Sequence, residues 1–246
     1  MKPRVLILDL ETAPHTAYVW GLWDQNVGLS QLIDTGRVMS VAAKWYGEKF
    51  IHQYDEHKDG HGTMLELAHE LLEEADAVIH YNGTKFDIPM LHKEFLEYEM
   101  APPSGIKQID LLKTVRSQFR FPSNKLDYVV QHLGIGAKTE HEGFKLWVKC
   151  MEGDDKAWTR MRKYNVQDVV LTEKLYDRLQ PWVKGGLNYG LFDAEGCCTK
   201  CGSFSLTKRG FATTNTGRYQ RWQCDDCGGW SQEKRSIVSS VFKEST

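Results

Sequence analysis

The stretch Arg4-Val-Leu-Ile-Leu-Asp9-Leu-Glu11 constrains the fold more than any other part of this chain of 246 residues. Arg4 to Leu10 is a run of mostly branched apolar residues, which predicts a buried strand. Residues i and i+2 of a strand point to the same face, so Asp9 and Glu11 project together from its C-terminal end. Two acids side by side repel each other unless a cation lies between them. The competing reading is an exposed strand end carrying a solvated acid pair.

Two further blocks repeat the theme. Ala77 to His80 reads as a second buried strand, broken by Asn82-Gly83. Apolar residues at helical spacing then predict a helix over Phe86–Tyr98, with Asp87 in its first turn and Pro89 where no hydrogen bond is lost. Asn82 is a candidate nucleic-acid contact with a simpler reading as a turn residue, and Asp87 reads more simply as an acid favoured by the helix dipole. A helix predicted over Trp158–Leu179 carries Tyr164 and Asp168 at i and i+4, hence on one face. Alone, that pair also fits a core-edge tyrosine and a surface acid. The oxygen ligands of the three blocks suit hard divalent cations and phosphodiester hydrolysis.

As a set, Asp9-Leu-Glu11, Asn82-Gly-Thr-Lys-Phe86-Asp87 and Tyr164-Asn-Val-Gln-Asp168 resemble the three exonuclease motifs of the DnaQ-like (DEDD) superfamily. The residue before Tyr164, where a histidine variant would place its histidine, is Lys163, so the resemblance is to the tyrosine branch. It covers roughly residues 1–182 and extends more loosely to ribonuclease-H-like exonucleases of bacteria and their phages. It implies an α/β fold, a mixed five-stranded sheet flanked by helices. It also implies 3′–5′ exonuclease activity on nucleic-acid ends, single-stranded DNA favoured over RNA, with a replication or repair protein as a possible partner. Asp9, Glu11, Asp87 and Asp168 would hold two Mg²⁺ or Mn²⁺ ions, about 3.5–4 Å apart. Tyr164 would orient the attacking water, because a phenol of pKa about 10 is a poor base at neutral pH. Asp110 reads as a helix N-cap or loop acid, with an outer carboxylate role as the alternative.

From Thr12 to a strand predicted at Val38–Trp45 runs a long, aromatic-rich connection containing His15, Tyr18, Trp20 and Trp23, then Leu29, Leu32 and Ile33. Trp20 and Trp23 are candidates for stacking on bases. A small satellite core over one sheet edge is the expectation for most of these residues. A helix is predicted at Leu126–Leu133; near it Lys125, Lys138 and Lys145 read as solvated lysines that could meet phosphates.

Near the C-terminus, Cys198-Thr-Lys-Cys201-Gly and Cys224-Asp-Asp-Cys227-Gly have the spacing of a four-cysteine zinc ribbon. Disulfides and an iron–sulfur cluster are the rivals. Cys197 competes with Cys198 as a ligand, while Cys150 reads as an unrelated thiol. A closed four-thiolate Zn²⁺ site would organise the module and leave no open position for catalysis. Residues 197–246 hold eight Lys or Arg against four Asp or Glu, whereas the whole chain carries −2. Arg209, Arg218, Tyr219 and Arg221, with Lys208, Phe211 and Trp222, interleave bases and aromatics as nucleic-acid contacts do. Protein docking or a minimal ribbon core would need similar residues.

The length fits a nuclease domain over 1–182, a linker over 183–196 and a ribbon module over 197–246. No stretch is apolar enough to span a membrane, and no signal peptide is read, so the cytoplasm of a bacterial or phage-infected cell is expected. Near-neutral charge gives the nuclease body no strong general attraction for nucleic acid. Two other function classes stay open: a non-catalytic adaptor built on a nuclease fold, and a structure-specific endonuclease.

Overall fold

The structure is a computed structural model that describes residues 2–137, 142–192 and 196–241. Lys138 and the chain beyond residue 241 lie outside the described residues. Strands β1 (Val5–Thr12), β2 (Thr16–Ala17), β3 (Leu32–Asp34), β4 (Val38–Trp45) and β5 (Ile51–Asp55) come first, followed by helix α1 (His61–Glu73). Then follow β6 (Ala77–His80), α2 (Asp87–Glu97), β7 (Lys107–Asp110), α3 (Leu111–Gln118), α4 (Leu126–His132), α5 (Lys145–Met151) and α6 (Asp155–Leu179).

Five strands form one sheet in the order β5-β4-β1-β6-β7. β4 runs antiparallel to β1 and β5, whereas β6 is parallel to β1 and β7 to β6. The sheet is therefore mixed and flanked by helices, as expected. β1 sits at its centre, and its alternation assigns each side chain to a layer. Leu6, Leu8 and Leu10 pack with Met64, Leu65, Leu72, Leu91 and Phe95 from α1 and α2. Val5 and Ile7 pack with Ile79, Val115, Val129, Val169 and Leu175, on the side of α3, α4 and α6. By the same parity Asp9 and Glu11 face α6. A register shift between Glu11 and Thr12 ends the regular ladder immediately after the second acid.

α6 begins earlier than the expected Trp158, because Asp154 caps it by accepting the N–H of Ala157 at 2.8 Å. Trp158 is buried and donates its indole N–H to the carbonyl of Cys150 at 2.8 Å, joining α5 to the first turn of α6.

The connection between β1 and β4 departs from the expectation. It forms the two-stranded β2–β3 ribbon and a single 3-10 turn at Leu29–Gln31, with its tip exposed. Trp20 is 99% and Trp23 83% exposed, and Tyr18, Leu22 and Leu29 are exposed as well. The aromatic and aliphatic residues of this segment thus make no satellite core. Two short strands bury too little on either face to gather them.

Beyond α6 a second sheet contains β8 (Leu206–Thr213), β9 (Gly217–Cys224), β10 (Trp230–Gln232) and β11 (Val238–Ser239). β9 is its central strand, with β8, β10 and β11 all paired to it in antiparallel fashion. The connecting segment is anchored rather than loose: Tyr189 N–H donates to the Thr199 carbonyl at 3.1 Å, and Lys200 Nζ donates to the Val183 carbonyl.

Candidate functional site

Asp9 and Glu11 meet Asp168 where the C-terminal end of β1 faces the middle of α6. One carboxylate oxygen from each of the three lies within 4.8 Å of the others. Glu11 and Asp168 are buried and Asp9 is half-buried. Three carboxylates this close are stable only with protons or cations among them, and an all-oxygen donor set suits Mg²⁺ or Mn²⁺. The residues therefore fit a divalent cation.

Asp87 stands just outside this triad. It opens α2, is buried, and accepts the backbone N–H of Leu10, the residue between the two acids of β1, at 3.1 Å. Burial pushes its carboxyl up to about 7, against the lowering effect of its backbone hydrogen bonds. The turn before it is tightly built. Asn82 has φ of 72° and donates its backbone N–H to Asp110 at 2.9 Å. Gly83 donates to Nδ1 of buried His80 at 3.0 Å. A Cβ on Gly83 would lie 2.4 Å from the His80 ring, so only glycine fits there. Asn82 is thus a turn residue that also lines a cleft. Asp110 is the N-cap of α3, accepting from Leu112 N–H at 3.0 Å.

Tyr164 lies one turn before Asp168 on α6, half-buried, with Trp147 packed edge-on at 6.1 Å between ring centroids. Trp147, Phe144, Pro14 and Thr12 line a pocket of about 370 Å³ beside Glu11.

Sequence reasoning missed Asn165. It is fully buried, and its Nδ2 donates to the Asp9 carboxylate at 2.8 Å and to the Asp9 carbonyl at 3.1 Å. Its own Oδ1 accepts from Ser40 Oγ on β4 at 2.8 Å. Both ends of the amide are engaged, which fixes its flip and the rotamer of Asp9. An asparagine inside an apolar helix face was the available signal.

The cysteines form the second site. Cys198, Cys201, Cys224 and Cys227 place their sulfurs within 4.8 Å of one another. The pairs Cys198–Cys227 and Cys201–Cys224 are each 3.7 Å apart. A Zn–S bond of about 2.3 Å gives tetrahedral S···S edges of about 3.8 Å, so the four thiolates fit zinc. At 3.7 Å these sulfurs are too far apart for the ~2.05 Å of a disulfide bond. Lys200 and Gly229 aim backbone N–H groups at Cys198 and Cys227 sulfurs, at 3.4 and 3.3 Å. Cys198, and not Cys197, belongs to the cluster. Cys150 lies on α5 and points into the core, where burial pushes its thiol up to about 12.

Arg209, Arg218, Tyr219 and Arg221 lie on β8 and β9, away from the carboxylates in sequence and in sheet. Arg218 stacks over Phe211 at 4.0 Å, Arg221 over Trp230 at 5.1 Å, and Lys208 over Trp222 at 5.2 Å. Trp20 and Trp23 remain on the exposed segment that follows Glu11.

No curated protein matches the chain in sequence. Among solved structures it resembles the family B DNA polymerase of the hyperthermophilic archaeon Pyrobaculum calidifontis, with a TM-score of 0.57 at 16% identity. The likeness covers 73% of this chain and 25% of the polymerase, and at that identity it is one of fold. Against protein families, residues 6–180 match the model of the RNase_H superfamily, the stretch that contains the whole mixed sheet and α6. The chain belongs to the RNase_H superfamily.

Proposed function

We propose that the protein is a metal-dependent 3′–5′ exonuclease that hydrolyses phosphodiester bonds at nucleic-acid ends, DNA in preference to RNA. The observation that carries this reading is the convergence of Asp9, Glu11 and Asp168, with Asp87 hydrogen-bonded one residue from each β1 acid. Superfamily membership supports a nuclease. Exo action, 3′ polarity and the DNA preference rest on the motif resemblance.

Asp9, Glu11 and Asp168, with Asp87 completing the set, would hold two Mg²⁺ or Mn²⁺ ions. Such ions, when bound, lower the pKa of the attacking water and offset charge on the leaving oxygen. The protein's own groups do the positioning. Asn165 fixes the Asp9 carboxylate, and the Tyr164 hydroxyl orients the water towards phosphorus. Trp147 packs the Tyr164 ring, and the adjoining apolar pocket takes the terminal base away from solvent. We assign residues 1–182 to the nuclease body, 183–196 to a linker and 197–246 to the ribbon. A structural Zn²⁺ on Cys198, Cys201, Cys224 and Cys227 would order the ribbon. Its Arg209, Arg218, Tyr219 and Arg221, and Trp20 and Trp23 of the β2–β3 segment, are proposed contacts to the strand.

Linear and circular forms of the same single-stranded DNA, incubated with Mg²⁺, test the reading. Degradation of the linear form alone is expected. Cutting of the circle would replace the exonuclease with an endonuclease. Tyr164→Phe should slow turnover roughly 10- to 100-fold with little change in the Mg²⁺ concentration needed. A wild-type rate would remove Tyr164 from the mechanism.

A further inference from the structure

The carboxylates are flanked by two unlike cavities. On the side of Glu11 lies the apolar pocket of Thr12, Pro14, Phe144 and Trp147. Where the chain leaves β6, the parallel neighbour of β1, there is a second cleft of about 590 Å³. Tyr81, Asn82, Arg116, Asn124, Lys125 and Asp127 are among the residues lining it. The opening lies at the C-terminal ends of the parallel strands, where α/β sheets bind ligands.

The lining of this cleft carries two cations, Arg116 and Lys125, against one acid, Asp127. Between Asp110 and Asp127 the chain carries Lys113, Arg116, Arg120 and Lys125 and no acid, although the whole protein is slightly acidic. Lys113 and Arg116 are three apart on the exposed face of α3, and Arg120 and Lys125 follow in the connection to α4. All four are exposed. Among the described residues, no carboxylate lies within ion-pair distance of any of them. Arg37, Lys44, Lys93, Arg160 and Arg162 elsewhere in the fold all have acidic partners. Two cations in the cleft lining, with Lys113 and Arg120 exposed on the adjoining chain, repel one another, and a polyanion relieves that repulsion.

We infer that the α3–α4 cleft is the track for the phosphodiester backbone of the strand entering the site, with Arg116 and Lys125 on the phosphates nearest the carboxylates and Lys113 and Arg120 beyond them. This rests on the nuclease reading given above. With the terminal base in the apolar pocket, the rest of the strand would run past the carboxylates into this second cleft. Contacts to phosphate carry no base information and do not distinguish sugars. The track therefore supports processing of any sequence, and it supplies locally the attraction that the net charge withholds.

The test separates binding from chemistry. A 5′-fluorescein-labelled 12-nucleotide oligo(dT) is titrated without added Mg²⁺ or Mn²⁺ over a series of salt concentrations, with anisotropy as the readout. Wild type is compared with R116A/K125A and with K2A/K49A, which removes two exposed lysines elsewhere. The cleft variant should bind roughly tenfold more weakly at low salt, and its slope of log K against log salt should shrink by ~1.4, about 0.7 per lost phosphate contact. K2A/K49A should keep the wild-type slope. An unchanged slope in R116A/K125A, an equal loss in K2A/K49A, or no binding by wild type would each overturn the track. Hydrolysis of the same oligonucleotide with Mg²⁺ is scored separately. Cleft-dependent binding without hydrolysis would sink the nuclease reading and leave the track standing.

Discussion

At the scale of single residues, the site is held by polar groups that are themselves held. Asn165 connects the Asp9 carboxylate to Ser40 of the neighbouring strand, and Gln53 Nε2 reaches Ser40 Oγ at 3.3 Å. Asn165→Ala would leave Asp9 free to rotate and Ser40 without its acceptor. Groups of this kind typically change activity or metal affinity by about 10–100-fold. Activity measured against Mg²⁺ concentration should therefore shift to higher metal, with a lower plateau. A curve superimposable on wild type would show that Asp9 needs no such support. Asp9, Glu11 and Asp168 were legible in the sequence because i, i+2 and i, i+4 spacings fix which side chains share a face. Asn165 was not, because its partner lies 156 residues away. The cations of α3 were also passed over, since scattered exposed lysines and arginines resemble any solvated face until their lack of partners is seen.

At the scale of elements, β4 coincides with its predicted limits and α2 and α6 nearly so, because β4 is one continuous buried run and both helices carry apolar residues at helical spacing. The β2–β3 segment was misjudged for a physical reason. Composition says that Trp20, Trp23 and Leu29 would gain from burial, but not whether a layer exists to bury them. The ribbon strands are the opposite case: β8 and β9 are as long as β1 but mostly exposed or half-exposed, so the proposed thiolate–metal cluster would have to replace a core of their own. Cys224→Ser should release one equivalent of zinc and expose the backbone of β8 and β9 to hydrogen exchange, leaving β1 and α6 protected. Retention of one tightly bound zinc per chain, measured by metal analysis, would contradict the four-thiolate assignment.

At the scale of the whole molecule, a charged knot joins the layer of α1 and α2 to the start of β4. His61 Nε2 lies 2.7 Å from Glu94, whose other oxygen accepts the Val38 N–H at 3.0 Å, and Arg37 bonds Glu56 at 2.8 Å. Glu56 and Glu94 raise the His61 pKa from 6.5 to about 9, with burial opposing them. A raised folded-state pKa stabilises the fold fully below pH 6.5, and that contribution is lost as pH rises through about 9. Denaturant unfolding should show wild-type stability falling across this window by ~1–2 kcal/mol after solvent screening. His61→Gln should flatten that dependence, and an equal fall in the variant would move its origin elsewhere. Among the described residues no helix is long and apolar enough to cross a membrane.

The central claim is that Asp9, Glu11, Asp87 and Asp168 make a metal-dependent site acting from a 3′ end. The most direct test uses 5′-labelled single-stranded DNA and RNA oligonucleotides with Mg²⁺, with Mn²⁺ or with EDTA, comparing wild type with Asp168→Asn. A ladder shortening stepwise from the 3′ end, absent in EDTA and reduced at least about 10³-fold in the variant, is the predicted result. Cleavage that persists in EDTA or in Asp168→Asn, or shortening that begins at the 5′ end, would contradict the account.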